Sequence, residues 1–190
     1  MRKYLFLFII VQLLIFETKA QFKEGYYYDK DNTKIIGLLD FRYGGSILTN
    51  KSDGDCFVMF RATEDSKKLK LKPTDITSFV IGTDSFTTLK NFSINAYVTY
   101  PMDFVKVLDT GRINLYAYYA IKPESNYSSL VIIWLVEKNG EVEYLNRGRF
   151  KNMFIDDYIN DCPELVEKIK NKELKYKDIK KIVDEYNNQN

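Results

Sequence analysis

The sequence predicts an α+β protein: a mainly antiparallel β-sheet, twisted and either open, partly closed or split into two layers, with C-terminal helices packed on it. Three observations predict this. Up to about residue 147, apolar, β-branched and aromatic residues recur in short runs separated by turn formers. After Gly148 the apolar period changes from two to between three and four. Between them, Asp103 to Asn146 reads as four strands in succession, which makes an antiparallel meander.

Residues 1–20 have the order of a secretory leader: Arg2 and Lys3, an apolar run from Tyr4 to Phe16, then Thr18-Lys19-Ala20. That run falls short of the roughly 20 apolar residues of a membrane span, so removal after Ala20 is expected and no transmembrane span remains. The expected location is secreted or periplasmic. Residues 21–190 are then one α+β domain, mainly β over 21–147 and helical over 148–187.

The first hairpin pairs Tyr26–Tyr28 with Lys34–Phe41 across Asp29-Lys30-Asp31-Asn32. A calcium loop fails there, because Lys34 and Asp40 stand where an EF-hand needs Gly and Glu. Strands are predicted at Ser46–Thr49 and Asp55–Ala62, and the apolar run from Cys56 to Phe60 suggests cover on both faces. Lys67 to Lys72 suits an edge strand, with Leu69 and Leu71 on one face and Lys68, Lys70 and Lys72 on the other. Those lysines have no aromatic partner in sequence and read as a solvated face.

Pro73 to Ile76 is a turn or short helical start, followed by strands at Ser78–Ile81, Phe86–Leu89 and Tyr97–Tyr100. The meander strands are Phe104–Leu108, Ile113–Ile121, Leu130–Val136 and Val142–Leu145. Gly111 is expected to supply a positive φ in the first turn, and Asn139-Gly140 suits both central positions of a type I′ turn. Val131 to Val136 has no polar face, so this strand should be covered on both sides, with Trp134 in the core rather than serving as a ligand platform.

In the helical part, Phe154, Tyr158, Leu165 and Ile169 share one face, and Tyr176, Ile179, Ile182, Val183 and Tyr186 form a second stripe. Asp161-Cys162-Pro163-Glu164 is a helix start, with Asp161 as cap and Glu164 closing a capping box. Glu164 with Lys168, Glu173 with Lys177 and Lys181 with Glu185 have the spacing of intrahelical pairs. The stripe implies docking on the meander, either on the face of Ile132, Trp134 and Val136 or on that of Val131, Ile133 and Leu135; the sequence does not choose.

Composition excludes more than it assigns. Setting aside Arg2, Lys3, Lys19 and Glu17 takes 28 basic and 26 acidic residues to 25 of each, and a neutral chain argues against a nucleic-acid partner. The absence of His removes the commonest general base, the usual serine and cysteine catalytic arrangements and the commonest zinc ligand. No phosphate loop or dinucleotide fingerprint occurs, so no cofactor and no metal are expected. Cys56 and Cys162 either bridge, which export permits, or stay as buried thiols; the sequence lacks the Cα distance that decides. Acid pairs at Asp53 with Asp55 and at Asp156 with Asp157 are catalytic only if they converge in a cleft with one pKa raised, and adjacent surface acids seldom do.

The ending DCPELVEKIKNKELKYKDIKKIVDEYN, with Asp161-Cys162-Pro163 opening one helix and Tyr186-Asn187 closing the last, resembles the tail of uncharacterised exported bacterial proteins of the Bacteroidetes type. Gly25-Tyr26 before Asn32-Thr33 and Gly37, Pro73 to Ile76 with Phe79, and Phe104 to Leu108 before Gly111 and Leu115-Tyr116 resemble other parts of those proteins. The opening departs from them, with Asp31-Asn32-Thr33 where a Gly-Asp-Thr turn is expected. The resemblance implies an exported protein of similar architecture and brings no activity.

Three functions follow as expectations. The first is a non-catalytic envelope or secreted module binding a protein, peptide or glycan, for which 15 Tyr, 13 Phe and one Trp supply contact surface. The second is a carrier whose partly closed sheet holds a small apolar ligand. The third is a His-free hydrolase working through two carboxylates.

Overall fold

The computed structural model describes residues 22–49, 51 and 54–189. The leader and Asp53 lie outside them. Eleven strands follow in chain order: β1 (Lys23–Asp29), β2 (Lys34–Arg42), β3 (Gly45–Ser46), β4 (Phe57–Arg61), β5 (Leu69–Leu71), β6 (Ile76–Ile81), β7 (Asp84–Ser93), β8 (Thr99–Asp109), β9 (Asn114–Pro123), β10 (Ser128–Lys138) and β11 (Glu141–Leu145). Ten of them form one antiparallel sheet in the order β11-β10-β9-β8-β7-β6-β1-β2-β4-β5. β3 pairs in parallel with β9.

The local chemistry explains most boundaries. In the first turn Asp29 Oδ1 accepts from Asp31 N at 2.9 Å and Thr33 N at 2.8 Å, a side chain standing in for the backbone. Asn139 and Gly140 have φ of 56° and 83°, the pair of positive values a type I′ turn requires. Gly111 is a correction, because its φ is not positive. A Cβ there would lie 2.6 Å from the Asn187 side chain, so the residue is small to admit the last helix. β8 runs through Pro101, where the ladder skips Pro101 and Asn91 opposite it without a change of register; Asn91 takes a φ of 52° at this break, where Pro101 has no N–H to give.

The sheet is strongly curled. β2 and β8 are four steps apart, about 19 Å along a flat sheet, yet the Phe41 and Phe104 rings lie 6.4 Å apart, with Phe79 and Phe86 between them. No ladder among the described residues closes it. The sheet also forks: β8 pairs with β7 through Lys106 and with β9 only from Lys106 onward, and β3 fills the fork beside Ala120 and Ile121.

Two hydrophobic clusters follow. The inner one lies in the curl and holds Leu39, Phe79, Phe92, Tyr100, Phe104, Tyr118 and Leu135. The other lies on the opposite face of the meander and holds Leu115, Val136 and Leu145 against the C-terminal helices. The helices thus dock on the Trp134 and Val136 face, while Val131, Ile133 and Leu135 belong to the inner cluster. Two expectations of full cover are corrected. Leu130 and Ile132 of β10 are 50% and 48% exposed because the helices reach only the later half of that strand, and Phe57 and Met59 of β4 are only partly covered.

The helical part begins with α1 (Arg147–Arg149), capped by Asn146 Oδ1, and continues as a π-helical segment, Phe150–Tyr158. In an α-helix residues four apart are offset by about 40°; the wider i→i+5 turn brings them nearer alignment. Phe150, Phe154 and Tyr158 use this to stack, with interplanar angles of 18° and 16°. Next come α2 (Pro163–Lys170), a 3₁₀ turn (Tyr176–Asp178) and α3 (Ile179–Asn187), which buries Ile179, Ile182, Val183 and Tyr186.

Asp161 does not cap α2, as Cys162 holds that position. Its carboxylate instead accepts from the Tyr186 hydroxyl at 2.9 Å and pairs with Arg112, whose guanidinium lies 4.3 Å from the centre of the Tyr186 ring. Asn187 bonds Ile113 N, Ile113 O and Asp109 at 2.8–3.0 Å. The Asp161, Tyr186 and Asn187 positions of the tail therefore lock α3 to the β8–β9 turn. Of the charge pairs read from spacing, Lys181–Glu185 forms at 3.6 Å, whereas Lys168 reaches across to Glu185 at 3.1 Å. Glu173 and Lys177 lie outside α2 and α3, in the connection between them.

Candidate functional site

Two regions concentrate polar chemistry, and burial separates their roles. The first is the sheet fork. Asp103 on β8 is fully buried, and its carboxylate accepts from Phe104 N at 2.8 Å, Tyr118 Oη at 2.9 Å, Asp55 N at 3.0 Å and Cys56 N at 3.2 Å. Tyr100 Oη donates to Asp55 at 2.8 Å and bonds the backbone of Ser46 and Thr49. Loss of water raises the Asp103 pKa, although every one of these donors opposes the shift. Burial, then the nearby Asp103 charge, pushes the Cys56 thiol up, so it stays protonated and inert. A Cβ on Gly45 would sit 2.1 Å from the Tyr118 hydroxyl, so only glycine lets β3 close over the cluster.

This fork answers the two-carboxylate reading. Asp55 gives its backbone N–H to Asp103, 48 residues away, while its own carboxylate takes the Tyr100 hydroxyl and an ion pair with Lys51 at 3.5 Å. The Asp103 carboxylate is spent on internal donors and that of Asp55 on Tyr100 and the exposed Lys51, so the cluster fastens the segment after β2 to β8. Asp156 and Asp157 are exposed on the π-helical segment, and Asp157 shares a shallow pocket with Glu141, Glu143 and Tyr158. Burial and then Glu143 and Asp157 push the Tyr158 phenol up to about 12.

The cysteines occupy different clusters. Cys56 is in the inner core, Cys162 lies under the helices with its Sγ donating to Gln189 at 2.7 Å, and both are free. The bridge is therefore not formed, because the meander stands between them. β5 is the sheet edge, as the Lys67 to Lys72 alternation suggested, but two of those lysines do have aromatic partners: Lys70 lies 4.0 Å from the Phe57 ring centre, and Lys68, just before the strand, lies 5.5 Å from that of Phe22. Trp134 packs in the helix-side cluster.

The second region is an open cleft of about 440 Å³ among the helices. Its floor is apolar: Phe150 from the π-helical segment, Ile169 from α2, and Leu174 and Tyr176 from the connection to α3. The remaining lining residues are Arg147, Lys151, Lys172, Lys175 and Lys177, all exposed, with no acid among them. None of the five is in an ion pair among the described residues. Tyr176 donates to Leu145 O at 2.9 Å, and burial raises its pKa against the opposing Arg147 charge.

Local structure aims these cations. Arg147 and Lys151 are four residues apart and share a face. Lys172 stands just past the end of α2 with φ of 65°, closing the turn by donating to Ile169 O at 3.0 Å. Helices prefer Gly or Asn in that left-handed position. A lysine held there costs about 1–2 kcal/mol, and strain of this kind gathers at functional sites. The sequence reading missed this cleft. The one signal was local: Lys170, Lys172, Lys175 and Lys177 fall within eight residues that contain a single acid, Glu173.

Among the described residues no group of three or more Cys, Asp or Glu is placed to hold a metal ion, and no helix is long and apolar enough to cross a membrane. Comparison with protein-family models, with curated proteins and with solved structures finds no match.

Proposed function

We propose that this chain is an exported, non-catalytic binding module, secreted or periplasmic and of the Bacteroidetes type its tail resembles, whose site is the basic-rimmed cleft and whose partner is an acidic protein segment. The observation that carries this reading is the pairing of an apolar floor with five exposed cations, none of them in an ion pair among the described residues. In a chain with equal basic and acidic content outside its leader, such a cluster is a local excess of positive charge that draws anions to the cleft.

The geometry favours a peptide over other anions. A volume of about 440 Å³ over Phe150, Ile169, Leu174 and Tyr176 suits one large apolar side chain as anchor. The cations come from α1, the π-helical segment and the connection to α3, so they meet several carboxylates spaced along an extended chain better than one headgroup. A carrier role has less support because no ladder among the described residues closes the curled sheet, and the hydrolase role has less because Asp103 is buried and the Asp55 carboxylate is held by Tyr100 and Lys51.

The test is calorimetric titration with a short peptide holding one Phe or Leu among Asp and Glu residues. The expected result is binding that weakens as salt rises and is lost in Lys172→Glu/Lys175→Glu, both at exposed positions. Equal binding by that variant, or by the same peptide with Asn and Gln replacing its acids, would overturn the assignment.

A further inference from the structure

The end of β2 meets the β6–β7 turn at one end of the curl and leaves a small open pocket there, of about 230 Å³. One side of it is aromatic: Phe41 and Phe86, whose ring centres lie 4.8 Å apart, with Tyr43 at the rim. Tyr43 stands edge-on to Phe41 at 4.9 Å and lies 4.8 Å from Tyr119 of β9, so two neighbours hold its ring while the residue stays 44% exposed. A tyrosine held in this way is a preset flat surface, amphipathic and with little rotamer freedom left to lose on binding.

The other side is polar. Asp40 and Asp84 line the pocket and each has its own cation, Arg42 for Asp40 and, at 2.7 Å, Lys106 for Asp84. Neither carboxylate is left to draw a metal ion, and both repel an anion. The pairs do not exhaust hydrogen bonding, because an ammonium has three donors and a carboxylate about four acceptor positions. Lys23 adds donors at the rim. Spare donors and acceptors thus stand together beside an aromatic face.

We propose that this pocket binds a neutral sugar, one pyranose ring of a glycan, with the C–H face of the ring on Tyr43 and its hydroxyls on Asp84 and Lys106. A hydroxyl both donates and accepts, which suits ion-paired side chains with capacity to spare, whereas an ion would meet a like charge in either pair. The volume lies below the roughly 300–1,000 Å³ of clefts that enclose drug-sized ligands, so it takes one ring and leaves the rest of a chain in solvent. This site shares no lining residue with the basic cleft, and the two ligands differ in charge.

The test is saturation-transfer NMR with calorimetry on the full chain, with cellobiose and diacetylchitobiose as probes, whose equatorial substituents leave flat C–H faces, and mannitol as a polyol without a ring. Binding of a disaccharide with a dissociation constant of about 1 mM is expected, insensitive to salt because the ligand is neutral and unchanged in Lys172→Glu/Lys175→Glu. Tyr43→Ala should weaken it by about tenfold, and Tyr43→Phe, which keeps the ring face, should stay within about twofold of the wild type. Asp84→Ala, at a half-exposed position, should weaken it by about fivefold, which keeps the test open if Tyr43→Ala fails to fold. Silence toward both disaccharides at tens of millimolar, equal binding of mannitol, or full affinity in a folded Tyr43→Ala or Asp84→Ala variant would overturn the proposal.

Discussion

Replacing Asp103 with Ala tests whether the fork is what fastens the sheet. The carboxylate serves four donors, and Cys56 N and Phe104 N are buried, with no route to water once it is gone. Each stranded donor costs about 1–3 kcal/mol. Asp55 N is only partly buried, and the Tyr118 hydroxyl can turn toward Tyr100, so the two buried amides set the loss at roughly 3 kcal/mol. For a domain of this size that lowers the melting temperature by about 6–12 °C. Acidity supplies a second readout. Burial raises the Asp103 pKa in the fold, so its neutral form stabilises the native state below the unfolded carboxyl pKa of about 3.9, and that contribution fades as pH rises through the folded value. Thermal melts by circular dichroism at neutral pH and toward pH 4 should therefore show the gap between wild type and Asp103→Ala widening on acidification. A variant that melts with the wild type, or a gap that narrows in acid, would refute the reasoning.

Other consequences are equally direct. Lys172→Gly relieves the left-handed backbone at φ of 65°; after the entropy glycine adds to the unfolded chain, a gain of about 0.5–1 kcal/mol is expected in urea melts, together with weaker binding of the acidic peptide. Ile179→Asp puts an unpartnered charge beneath α3, where Ile179 is buried against the helix-side cluster, and should cost at least about 3 kcal/mol, lowering the melting temperature of the whole domain by at least about 6 °C; an unchanged cooperative melt would mean the helices are not docked. Burial, then the hydrogen bond to Asp161, pushes the Tyr186 phenol up to about 12, so the stability it contributes is complete below its unfolded value of about 10 and is lost as pH rises toward 12; Tyr186→Phe should remove that part of the alkaline loss. Thiol titration should find Cys56 and Cys162 unreactive in the native protein and two free groups after unfolding without reductant, whereas none would mean a bridge.

Much of the architecture was legible because its determinants are local. Asn139-Gly140 codes its own turn, the β8–β11 meander follows from alternation and turn spacing, and the α3 stripe names the face it buries. What stayed hidden depends on partners distant in sequence. Asp103 looks like an incidental acid until the curl brings Cys56 to it, Gly111 looks like a turn glycine until Asn187 arrives, and Asp161 has the spacing of a cap yet is taken by Tyr186 and Arg112. The cleft is the extreme case. Its cations come from two stretches more than 20 residues apart, and only the path from the π-helical segment through α2 sets Arg147 and Lys151 facing Lys172, Lys175 and Lys177 over one apolar floor.

The most direct measurement of the proposed function is a paired calorimetric titration of the acidic, Phe-bearing peptide into the wild-type chain and into Lys172→Glu/Lys175→Glu, at low and at high salt, with melting curves of both proteins. Saturable binding to the wild type that salt weakens, and its loss in a variant that melts normally, is the predicted result. Binding that persists in the folded variant, or an unresponsive wild type that takes up anionic phospholipid vesicles instead, would contradict it.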